Sequence, residues 1–241
     1  MGETIQVAAD DGGAFETYLA SPSSGTGAGV AIVSTIFGIE DDVKAYADRL
    51  AADGFVVEIP NVFWRVEDSA LLPSDVPGGH PTFKRAVDRA MKLDIDKSMS
   101  DLQQVVADLK KRPQCNGQVA VMGFCWGGRY ALRAAAELDV KAAISFHGTQ
   151  VARVLDRAKR ARCPMSFHWG DKDWVVPMTE IAQVQQAFDG VRDAEVVVHP
   201  GAEHSYMLKN RGAGYSASAA QESWSRALEL LAPLKSARAA Q

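Results

Sequence analysis

GFCWGG, residues 123–128, follows directly on the apolar run QVAVM, residues 118–122. A continuous apolar run of this kind suits a strand buried on both faces. GGRYALRAAAEL, from Gly127, then reads as a helix. A strand that turns sharply into a helix lifts the residue at the turn clear of the sheet. The backbone there is strained, and side chains on the flanking residues would collide, so Gly123 and Gly127 suit the geometry. G-x-C-x-G is the nucleophile-elbow pattern with cysteine in place of serine. The helix beyond aims its positive N-terminal end at Cys125 and favours a thiolate there. The alternative is a cysteine packed as a small apolar residue at a helix start. Strand, glycines and helix in this order favour the nucleophile.

Outside the elbow, apolar runs and helical patterns alternate. TIQVAA and AFETYLA flank the turn residues DDGG and read as a hairpin. GVAIVST and FVVEIP read as buried strands around the helix EDDVKAYADRLAADG, which has acids in its first turn and Gly54 at its end. A second helix is expected over 96–112. VKAAISFHG, CPMSFHWG and AEVVVHPG read as three more strands, with helices at MTEIAQVQQAFDG and Ala219–Leu234. Strands alternating with helices imply an α/β fold with a mostly parallel sheet covered on both faces. No repeat or linker divides residues 1–241, so a single domain is expected. Residues 60–95, rich in Pro, Gly and charge, form a candidate cap or loop segment within it.

The composition is that of a globular protein with a full core: 47% apolar and 23% charged over 241 residues. A net charge of −4 speaks against nucleic acid or an anionic membrane as partner. No apolar run approaches the ~20 residues that span a bilayer. MGETIQVAADDGG lacks the basic and apolar segments of a secretory signal. Cys115, Cys125 and Cys163 have no metal-type spacing, so no metal site is expected, and reduced thiols fit a cytoplasmic location. The expected partner is a small molecule, and the expected state a monomer.

The acid and base that accompany such an elbow follow it along the chain in that order. WGDKDWVVP ends a strand and offers Asp173, with Asp171 as close competitor. AEVVVHPGAEHSYM ends another and presents His204 before the last helix. His80, His147, His168 and His199 read as surface or satisfied core residues. Cys125, His204 and Asp173 would together support covalent acyl transfer: the thiol attacks, the imidazole moves protons, and the carboxylate fixes its tautomer. The backbone N–H of Trp126 and one in the loop after GVAIVST, at Ile36, would bind the oxyanion.

These residues resemble the dienelactone hydrolase family, the carboxymethylenebutenolidases, a branch of the α/β-hydrolase fold. The similarity runs over most of the chain through IFGIEDDV, FVVEIPNVF, GFCWGG, GDKDWVVP, GAEHSYM, RGAGY and the last helix. It implies Cys125, Asp173 and His204 as a triad hydrolysing an enol-lactone or related activated ester, without a cofactor, in aromatic-compound degradation. Two positions depart from the family pattern. Where the family carries a Glu before the IFG loop this chain has Thr35, and Glu40 is expected to face a helix N-terminus instead. Where an Arg is expected four residues after the His, the chain has Leu208, with Lys209 and Arg211 nearby. A second substrate-holding cation falls on Arg85 or Lys84. Without a buried clamp for a carboxylate, a less charged or more apolar substrate is favoured. Phe37, Trp64, Trp126, Trp174 and Tyr206 are candidate pocket residues. Two other classes remain: a non-catalytic small-molecule binding protein on the same scaffold, and a redox-reactive thiol protein.

Overall fold

The apolar runs become one eight-stranded sheet in the computed structural model, which describes residues 2–76 and 79–236. The strands are β1 (Glu3–Ala8), β2 (Ala14–Ala20), β3 (Gly27–Val33), β4 (Val56–Pro60), β5 (Cys115–Phe124), β6 (Ala142–Phe146), β7 (Met165–Gly170) and β8 (Ala194–His199). Their order is β1-β2-β4-β3-β5-β6-β7-β8. β1 and β2 form the expected hairpin, and β2 pairs antiparallel with β4; every other neighbouring pair is parallel.

The period-two alternation of a strand explains why the central runs are apolar throughout. Val30 and Ile32 of β3, with Ala120, Met122 and Phe124 of β5, face one apolar layer. Ala31, Val33, Val119 and Val121 face the other. The first layer is closed by α1 (Asp41–Ala52) and α6 (Ala217–Ser236) through Val43, Leu50, Trp224 and Leu231. The second is closed by α2 (Pro81–Ala90), α3 (Ile95–Lys111), α4 (Gly128–Glu137) and α5 (Met178–Phe188).

Local chemistry starts these helices where the sequence marks them. Asp94 caps α3 by accepting from the backbone N–H groups of Asp96 and Lys97, at 3.0 and 3.1 Å. His80 caps α2, its Nδ1 accepting from Thr82 N at 3.2 Å, and Pro81 opens the first turn. That helix corrects the expectation of irregular chain over 60–95: among the described residues of this segment, 61–76, 79–80 and 91–94 lie outside helix and strand. Short 3-10 stretches at Val151–Arg160 and Lys209–Gly214 were also not legible as elements. No described helix is long and apolar enough to cross a membrane.

Candidate active site

β5, β7 and β8 run parallel in one part of the sheet, so the loops after them gather at the carboxyl ends, where open α/β sheets bind ligands. β5 ends at Phe124, and Cys125 adopts φ +50°, a left-handed conformation that is costly for a residue with a β-carbon. Tight packing holds it there. A β-carbon on Gly123 would lie 2.2 Å from Gly127 O, and one on Gly127 would lie 2.1 Å from Val33 O. A 3-10 turn, Cys125–Gly127, then leads into α4.

The loops after β7 and β8 bring Asp173 and His204 to the thiol. His204 Nε2 lies 3.3 Å from Cys125 Sγ, and His204 Nδ1 lies 2.8 Å from Asp173 Oδ2. Asp173 Oδ1 accepts from the backbone N–H groups of Val175 and Val176, at 2.8 and 2.9 Å, which fixes the carboxylate. Asp171 stands apart: it accepts from Gly201 N at 2.7 Å and ties the two loops together. Burial is the largest influence on His204 and opposes its positive charge. The negative charge available at Cys125 and the hydrogen bond to Asp173 outweigh it and raise the imidazole to about 9. A thiol, an imidazole and a carboxylate in this line can carry out covalent acyl transfer.

A cavity of about 330 Å³ opens over Cys125 and His204. Ile36, Phe37, Trp126 and Trp174 line it, together with Phe83, Val87 and Met91, which the sequence did not single out. Phe83 stands 6.2 Å from Phe37 and 6.4 Å from Trp174, ring centre to ring centre. Trp174 is 67% exposed.

Several candidate residues lie elsewhere. Arg85 is at the surface, paired with Asp68, because its position on α2 faces away from the apolar layer. Lys84 is likewise exposed, paired with Asp88. Tyr206 is fully buried under α6, its hydroxyl 2.8 Å from Ser223 Oγ. Trp64 stacks on Phe15 and donates to Asp101 at 2.8 Å, away from the cavity. Leu208 is also fully buried.

Two buried charges at the cavity, Glu40 and Arg211, are engaged with each other, whereas Glu203 on its rim is exposed. Glu40 holds the N-cap position of α1 but its side chain makes no cap hydrogen bond; its carboxylate accepts from Thr35 Oγ1 and pairs with Arg211 Nη2 at 3.0 Å. Burial pushes Glu40 above the usual carboxylate range, against the pull of Arg211. Arg211 covers the Phe37 ring at 4.4 Å. Arg89, unremarked in the sequence, is buried on α2 and holds Ile36 O through Nε (3.2 Å) and Nη2 (2.9 Å) and Ala70 O through Nη1. Its signal was weak: a charged residue at a helix position between the apolar Ala86 and Ala90.

Of the other histidines, His168 and His199 are satisfied by Ser166 and Ser223, each at 2.7 Å. His147 is not: it is fully buried, with neither ring nitrogen hydrogen-bonded, and its ring stands edge-on to His204 with centres 5.0 Å apart.

Fold and site together define a hydrolase with the α/β-hydrolase fold. The dienelactone hydrolase family matches residues 15–235, and the chain belongs to that family. It is 28% identical over 236 residues to a carboxymethylenebutenolidase of Pseudomonas sp. strain P51, covering 98% of this chain and 97% of that protein. It is 27% identical over 241 residues to a carboxymethylenebutenolidase of Pseudomonas putida, covering 98% of each. Among solved structures, a Klebsiella pneumoniae protein assigned as a dienelactone hydrolase superposes with a TM-score of 0.84 at 26% identity, covering 96% of this chain and 98% of that one.

Proposed function

We propose that this protein hydrolyses an enol-lactone or related activated ester by covalent catalysis at Cys125. The observation that carries the proposal is the hydrogen-bonded line from Asp173 through His204 to Cys125 at the floor of the cavity. His204 holds the proton and Sγ attacks the acyl carbonyl, forming a C–S bond. The resulting oxyanion is bound by the backbone N–H groups of Trp126 and Ile36. As the tetrahedral species collapses, the C–O bond breaks and His204 protonates the departing oxygen. In the second half, His204 takes a proton from water, whose oxygen attacks the thioester. The acid leaves, and the proton returns to the Cys125–His204 pair.

One set of observations favours a neutral, apolar ester over an anionic lactone. Arg211, at the cavity, is neutralised by Glu40, Arg85 lies at the surface, and position 208 is a buried leucine. Aromatic and aliphatic side chains, Ile36, Phe37, Phe83, Val87, Trp126 and Trp174 among them, make up much of the cavity wall.

Steady-state hydrolysis of a dienelactone and of a neutral p-nitrophenyl ester, by wild type and Cys125→Ala, tests both statements. Wild type should turn over at least one of them, and Cys125→Ala should lose activity by at least about 10³-fold. A higher kcat/KM for the neutral ester supports the apolar substrate class, and a higher value for the dienelactone rejects it. Turnover that survives in Cys125→Ala, or is absent from wild type on both substrates, would overturn the catalytic proposal.

A further inference from the structure

His147 is a buried group that the proposed hydrolysis leaves unused. It sits just past the end of β6 with φ +40°, and its ring is fully enclosed without a hydrogen-bond partner for either nitrogen. A buried polar ring left in that state costs free energy, and a strained residue of this kind points to a functional constraint. Its surroundings suggest what that constraint is. A ring nitrogen of His147, one of His204 and Cys125 Sγ all lie within 4.8 Å of one another.

The chemistry of the three atoms is that of a transition-metal ligand set. Thiolate and imidazole select zinc-like ions over magnesium or calcium, which prefer oxygen. In a tetrahedral zinc site, bonds of about 2.3 Å to sulfur and about 2.0 Å to nitrogen hold the ligand atoms roughly 3.3–3.8 Å apart. Cys125 Sγ and His204 Nε2 already stand at 3.3 Å. Asp173 holds Nδ1 of His204 and leaves Nε2 directed at the cluster, the carboxylate–histidine arrangement that orients metal-bound imidazoles. Cys125 and His204 also face the cavity, which leaves the fourth position open to water.

We propose that Cys125, His147 and His204 form a three-ligand site for a divalent zinc-like ion, and that its binding reversibly closes the nucleophile. Binding releases to solvent the proton that Cys125 and His204 share; the ion is an inhibitor and not a cofactor, because it then occupies the sulfur and Nε2 lone pairs that acyl transfer needs. His147 adds the third ligand that a thiol–imidazole pair alone lacks. Binding depends on the geometry of these three side chains, whether or not the protein turns over an ester, so the two proposals fail separately.

Titration of the full-length protein with Co²⁺ and Zn²⁺, followed by absorption and calorimetry, tests the site. Wild type should bind one ion per chain and show a thiolate-to-cobalt charge-transfer band that Cys125→Ser lacks. His147→Phe and His147→Gln should weaken binding by at least about tenfold while keeping ester hydrolysis. Zinc that silences wild-type hydrolysis, reversibly by a chelator, should leave these variants active. Circular dichroism identifies which variant is folded, and either one suffices. Absence of bound metal in wild type overturns the proposal, as does affinity unchanged in the folded His147 variant.

Discussion

Asp173 and Asp171 sit two residues apart in one polar turn, WGDKDW, and only one of them reaches an imidazole. Asp173 is anchored by two backbone N–H groups and presents its other oxygen to His204 Nδ1. Asp173→Asn keeps an oxygen for the backbone donors but loses the charge that stabilises imidazolium. It can also offer N–H where His204 needs an acceptor. We expect kcat to fall by about 10²–10⁴ with little change in melting temperature. An unchanged kcat would show that His204 is oriented by other contacts. Sequence spacing placed the acid in this turn and named Asp173, with Asp171 as close competitor, without the geometry that separates them. That choice depends on the direction of each carboxylate, set for Asp173 by Val175 and Val176 in its own loop and for Asp171 by Gly201 in the loop after β8.

Helices and turns show how the cavity is built. α2 contributes Phe83, Val87 and Ala90 to its wall at helical spacing, and through Arg89 it ties that wall to the Thr35–Gly38 turn, which carries Ile36. Arg89→Met removes the donors to Ile36 O and Ala70 O while keeping much of the apolar stem. We expect a loss of about 2 kcal/mol of stability in urea unfolding, and a fall in kcat larger than any rise in KM. A variant with wild-type stability and kinetics would show that packing alone holds α2. The helix was hidden in the sequence because prolines, glycines and charges surround it. The capping histidine and the Pro81 start became meaningful only once Ala86 and Ala90 were seen against the core. α3 was legible from the start as a helix over 96–112, although its Asp94 cap fell within the segment read as irregular.

Folding the sheet between two helical layers encloses histidines that an unfolded chain would expose. Burial lowers His168 to about 3 and holds His147 well below its ordinary range. Both are neutral in folded and unfolded states above about pH 6.5. Below it the unfolded chain takes up their protons first, so each contribution is present above that pH and is lost as pH falls towards the folded-state value. Each histidine should remove about 1.4 kcal/mol of stability per pH unit once fully protonated in the unfolded chain. His204 has the opposite sign. Its stabilisation is complete below about pH 6.5 and is lost as pH rises through about 9. Urea unfolding from about pH 7 to about pH 5 should show a shallower decline for His168→Gln than for wild type, by one histidine's share. Equal slopes would mean that His168 takes up its proton in the folded state as readily as in the unfolded chain.

The strands, most helices and the glycine-framed cysteine could be read from residue order, because each rests on contacts between near neighbours: pleat alternation, a cap, a close approach of two glycines. The meetings of Arg211 with Glu40, of Arg89 with Ile36, and of His147 with Cys125 and His204 could not. Those residues lie far apart along the chain, and their pairing depends on where the sheet order and loop paths deliver each side chain. No local pattern encodes that approach, and Glu40 and Arg211 became partners only when the strands were laid side by side.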